Sequence, residues 1–108
     1  MSAQHIERNR LKLQMDKALR EVNREVINPD VPELTLHKIE PIFRLVAKAR
    51  AAYLKELFEV TKICGDDLPN PEQVKQLKQH RKAFEELRHA SQALETAIEA
   101  GYLDVMTG

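Results

Sequence analysis

Asn70-Pro71-Glu72-Gln73-Val74-Lys75-Gln76-Leu77 is the stretch on which the fold reading turns. Asn70 offers a side-chain oxygen to a free helix N–H, and Pro71 supplies a preset φ where no donor is needed. Glu72 sits at the positive end of the helix dipole, and Gln73 occupies the place from which a side chain reaches back to the cap. Downstream, Leu77, Phe84, Ser91 and Ile98 recur every seven residues, interleaved with His80, Leu87 and Leu94. This approximates the a/d seam of a coiled coil and predicts a helix over about 71–100, ended by Gly101.

Working toward the N-terminus, Gly65 follows Lys62 and Cys64, as a glycine stop follows a helix. The connection from Gly65 to Asn70 is short, so the two flanking helices should form an antiparallel hairpin. The second helix, about 36–64, begins between Thr35 and Pro41. Either Thr35 caps it and Pro41 falls in the second turn, or Pro41 itself opens it. Ile39, Val46, Tyr53 and Val60 repeat every seven residues, and Phe43, Leu57 and Cys64 continue a neighbouring row broken by Arg50. Ile42, Leu45, Ala49, Ala52 and Leu54 lie beside that seam, so more than one face of this helix needs cover.

A first helix is predicted over about 3–27, with Ser2 as its cap. Leu11, Met15, Leu19, Val22 and Val26 form one apolar stripe at steps of three and four. Asn28-Pro29-Asp30-Val31-Pro32 then stops the helix, because each proline lacks an N–H and drives its predecessor from helical geometry. That segment is expected to be extended and irregular. No β-type alternation or internal repeat intervenes. The reading is one all-α domain over 1–108, an elongated three-helix bundle whose second and third helices form a coiled-coil-like hairpin.

Such a thin assembly has trouble closing a core. Either the first helix returns onto its own hairpin, or two chains share a core; the second is preferred here, giving a homodimer. The prolines of the 28–34 connection permit both.

Bulk properties narrow the function. The 108 residues hold 17 Lys plus Arg and 17 Asp plus Glu, with apolar residues at 43% and aromatics at 5%. Zero net charge removes the simplest argument for non-specific binding to nucleic acid or membrane. The longest apolar runs are about three residues, far short of a membrane span, and no secretory leader is evident at the start. One cysteine, Cys64, forms no internal disulfide and reads as a small buried hydrophobe. A cytoplasmic setting is expected.

Chemistry is sparse. No phosphate loop, nucleophile elbow or His-Glu-x-x-His is present, and the loops are short, so neither an enzyme nor a cofactor is expected. Glu86 with His89, and His37 with Glu40, have helical metal-ligand spacing. Carboxylate di-metal sites need two Glu-x-x-His pairs and two further carboxylates, so both pairs read as surface residues and no metal is assigned. His80 on the seam reads as a polar residue that sets register, with a pH-responsive contact as the sharper alternative.

Two surfaces remain. Glu95 and Glu99 lie near the negative end of the third helix, unfavourably for the dipole and for each other, beside Leu103 and Met106. This acid-rimmed apolar end suits docking on a protein partner, and equally a tail folded onto its own chain. Lys55, Lys62, Lys75, Lys78, Arg81 and Lys82 would gather at the hairpin tip and meet phosphates, or form an ordinary solvated face. A helix-turn-helix is disfavoured by long helices and two prolines in the turn. The expected function is therefore a dimeric, non-enzymatic protein–protein interaction module: a small adaptor, chaperone-like or regulatory factor whose seam is Leu77, His80, Phe84, Leu87, Leu94 and Ile98. A phosphate-binding, nucleic-acid-associated factor is the alternative.

Overall fold

The computed structural model describes residues 2–31 and 33–106. It contains three helices, α1 (Ala3–Ile27), α2 (Leu36–Cys64) and α3 (Pro71–Glu99), and the protein is all-α. Pro32, within the predicted breaker, and Thr107 and Gly108, at the end of the predicted tail, lie outside the described residues. The chain divides into two compact units, one formed by residues 37–94 and the other by residues 1–36 with 95–108.

The first unit is the α2–α3 hairpin. Asn70 and Gln73 cap α3 reciprocally: the Gln73 N–H donates to Asn70 Oδ1 at 2.8 Å, and the Asn70 N–H donates to Gln73 Oε1 at 2.8 Å. The Cys64 thiol also donates to Gln73 Oε1, at 3.3 Å, so one glutamine side chain joins the end of α2 to the start of α3. Gly65, at φ +59°, turns the chain out of α2, and its N–H donates to the Thr61 carbonyl at 3.0 Å.

Cross-helix contacts fix the antiparallel register. Cys64 meets Gln73, Glu56 meets His80 and Tyr53 meets Phe84, so positions fall along α2 as they rise along α3. The Tyr53 and Phe84 rings are tilted, with centroids 6.2 Å apart, and the Arg50 guanidinium lies 5.0 Å from the Phe84 centroid. Val60 of α2 and Ser91 of α3 are buried, and Ile39, Val46 and Tyr53 are half-buried.

The second row of α2 differs from the sequence reading. Ile42, Ala49 and Glu56 are the half-buried companions of the 39/46/53/60 row, whereas Phe43 and Leu57 are 45% and 43% exposed. As far as Glu56 the seam lies on the side away from the predicted row; at the end of α2 the predicted row holds it, because Cys64 is half-buried and bonded to Gln73 while Ile63 is 72% exposed. α2 starts at Leu36, with Pro41 in its second turn. Proline has no N–H to give there, so the helix continues through it one hydrogen bond short.

The other unit joins α1 to the last turn of α3 and the segments on either side. The Ser2 side chain accepts from the His5 N–H at 3.2 Å and caps α1. At the far end of α3, the Gly101 N–H donates to Ile98 and the Tyr102 N–H to Ala97, the paired bonds of a Schellman stop, with Gly101 at φ +79°. The stretch after α1 is not extended as expected. The Asp30 and Val31 N–H groups both donate to the Ile27 carbonyl, so it turns at once, and only at Leu34 does it lie alongside the C-terminal tail. There the Leu34 N–H donates to the Asp104 carbonyl at 3.3 Å and the Met106 N–H to the Leu34 carbonyl at 2.8 Å, forming one isolated parallel bridge. Leu34 and Leu103 are each 4% exposed and are the core of this unit.

Asp104 fastens it. Its carboxylate accepts from the Arg24 guanidinium and, at 3.1 Å, from the Asn28 amide, while its own N–H donates to Asn28 Oδ1 at 3.0 Å. Arg24 also donates to the Gly101 carbonyl at 3.1 Å. The Arg24 hydrogen bond first, and the Asn28 bond second, hold the Asp104 carboxyl below the usual carboxylate range.

Two outcomes follow from these local arrangements. Asn70→Ala removes one arm of the reciprocal cap and should lower stability by about 1 kcal/mol, read as a lower urea midpoint at unchanged slope. For Asp104, a folded-state pKa below the unfolded one contributes stability above the ordinary aspartate value and loses it as pH falls toward the folded value. Amide protection at Leu34 and Met106 should accordingly persist near neutrality and decay below about pH 4. In Asp104→Asn, protection there should be weaker at neutral pH and should no longer carry that acid limb.

Candidate interaction surfaces

What the described residues offer is apolar surface. Leu34, Val60 and Leu103 are the buried hydrophobic residues among them, and no residue of α1 is buried. The predicted α1 stripe lies open along its whole length: Leu11, Met15, Leu19, Val22 and Val26 are 54–63% exposed.

The reason lies in which face α1 turns inward. At about 100° per residue, Arg24 stands nine residues and so about 180° from Met15. Arg24 grips Gly101 and Asp104, and the Arg20 side chain lies against Gly101. Ile27, half-buried, is on the same side. α1 therefore meets the end of α3 through its charged face and points its apolar stripe away. The hollows along α1, at residues 3–14 and at Met15, Ala18, Leu19 and Val22, are lined by this one helix and are furrows between its own side chains.

In the hairpin, a second apolar face of α2 is open beside the seam. Phe43, Leu54, Leu57 and Phe58 are 43–65% exposed and fall on one side of the helix. Ile42, Ala49 and Ala52 are half-buried, whereas Leu45 is 49% exposed.

The predicted seam residues Leu77, His80, Phe84, Leu87, Leu94 and Ile98 are all half-buried along one face of α3. His80 Nε2 stands 3.9 Å from Glu56 Oε2, so the seam histidine faces a carboxylate across the hairpin. This acid, invisible as a partner in the sequence, replaces an apolar residue in the α2 row.

The acidic end is divided. Glu95, Glu99 and Met106 are exposed, but Leu103 is buried inside its own unit and is withdrawn from any partner surface. It is held there because Asp104, the next residue, is bound on both its carboxylate and its N–H.

The basic residues Lys55, Lys62, Lys75, Lys78, Arg81 and Lys82 are all exposed. Lys62 is paired with Glu59 at 3.7 Å, and Lys78 and Arg81 border a shallow hollow with Tyr53, Val74 and Leu77. Glu86 and His89 are exposed, as are His37 and Glu40. His89 Nε2 lies 3.3 Å from an Arg88 nitrogen. Among the described residues no group of three or more His, Cys, Asp or Glu side chains converges as a metal site. No helix among them is long and apolar enough to cross a membrane. Compared with family models, with curated proteins and with solved structures, the chain matches none.

Proposed function

We propose that the protein is a cytoplasmic, non-enzymatic helical interaction module: an adaptor, chaperone-like or regulatory factor that works as a homodimer and docks a further protein. The observation that carries this reading is the apolar surface that each unit leaves uncovered: Leu11, Met15, Leu19, Val22 and Val26 of α1 are 54–63% exposed, and Phe43, Leu54, Leu57 and Phe58 of α2 are 43–65% exposed. Faces of that kind mark protein contacts.

Size-exclusion chromatography with light scattering, at low and high salt, tests the reading. The expected species has twice the 12.4 kDa chain mass at both salt concentrations. Its absorbance should be that of a chain with two tyrosines and no tryptophan. A monomer carrying nucleic acid that strips off at high salt would overturn it in favour of phosphate contacts through Lys75, Lys78, Arg81 and Lys82.

A further inference from the structure

The open stripe of α1 has a definite complement in the chain itself. We infer that α1 pairs antiparallel with α1 of a second copy, in a register where Met15 of each chain packs against Ala18 of the other. This deepens the dimeric interaction-module reading and rests on it.

The apolar side of α1 carries a heptad pattern. Arg8, Leu11, Met15, Ala18, Val22 and Glu25 follow one another at steps of three, four, three, four and three, the spacing of alternating a and d positions. In an antiparallel pair each a position meets a d position of the other strand. With Met15 opposite Ala18, Leu11 falls opposite Val22, and the outermost layers place Arg8 opposite Glu25 at both ends. The large Met15 meets the small Ala18, and the apolar layers are closed off by opposite charges. A shift by one heptad sets Met15 against Glu25 or Arg8 against Ala18. A parallel pair sets Arg8 on Arg8 and Glu25 on Glu25, so charge selects the antiparallel arrangement.

The structure leaves these positions available. Leu11, Met15 and Val22 are 55–57% exposed, and Arg8 and Glu25 are exposed with no ion-pair partner among the described residues. The face is also free in its own unit, because Arg20 and Arg24 hold the end of α3 from the opposite side of the helix. Leu19, 54% exposed along the flank of the stripe, widens the area the pair covers.

Charge reversal tests the register, because Arg8 and Glu25 stand 17 residues apart on one helix, about 25 Å, and so meet only between chains. Sedimentation equilibrium on R8E should show dimerisation weakened about tenfold or more, since two attractive layers per dimer become repulsive, and E25R should behave alike. The R8E/E25R double variant, and a one-to-one mixture of the two single variants, should regain wild-type affinity. Recovery in both supports the register even if each single variant is less stable. A wild-type dimer indifferent to R8E and to E25R overturns the register and leaves the interaction module standing. A wild-type chain that stays monomeric at every concentration overturns both.

Discussion

The grip of Arg24 and Asn28 on Asp104 decides the rest of this molecule. It ties α1 to the segment after α3 through charged and amide side chains, and so turns the polar face of α1 toward its own unit. A helix has only one circumference. Once Arg20, Arg24 and Ile27 face inward, Met15 and Val22 face out, and the elements of its own unit leave the apolar stripe uncovered. The small core of Leu34 and Leu103 cannot offset the exposure of five or more large apolar side chains.

The hairpin has the same character on a different scale. Its ends are well fixed by Gln73, which serves Asn70 and Cys64 at once, and its middle by the Arg50, Tyr53 and Phe84 side chains. Yet two helices share only one seam, and α2 carries apolar residues beyond it at Phe43, Leu54 and Phe58. Each unit thus holds itself together by specific polar contacts and narrow seams, and each presents an apolar face. That division of labour suits a module whose contacts with other chains complete its core. In the pairing proposed above the α1 face is occupied by a second copy, and the face of Phe43, Leu54 and Phe58 stays open.

Features set by neighbouring residues were legible in the sequence. Ser2, Asn70 with Gln73, Gly65 and Gly101 all cap or stop helices within four residues of themselves, and each does so in the structure. The heptad of α3 places one continuous half-buried face. The side of the α2 seam was not legible, for a physical reason. The row of Ile42, Ala49 and Glu56 and the row of Phe43, Arg50 and Leu57 each hold two uncharged residues and one charge, so periodicity alone cannot choose between them. In the structure Glu56 of the first row meets His80, while Arg50 of the second still reaches the Phe84 ring. The latch was equally hidden. Arg24 and Asn28 lie 80 and 76 residues from Asp104, and no local pattern marks a pair of that separation. The burial of Leu103 follows the tail-folded reading that the sequence allowed beside a partner surface; what it did not mark was the residues that hold the tail there.

Amide hydrogen exchange along α1 as the protein is diluted reads whether another chain covers the α1 stripe. Protection across residues 11–22 should fall on dilution, while protection in the middle of α2 and α3 stays constant. Protection of α1 that is the same at every concentration would mean that the stripe is covered within its own chain, and would contradict cover by another.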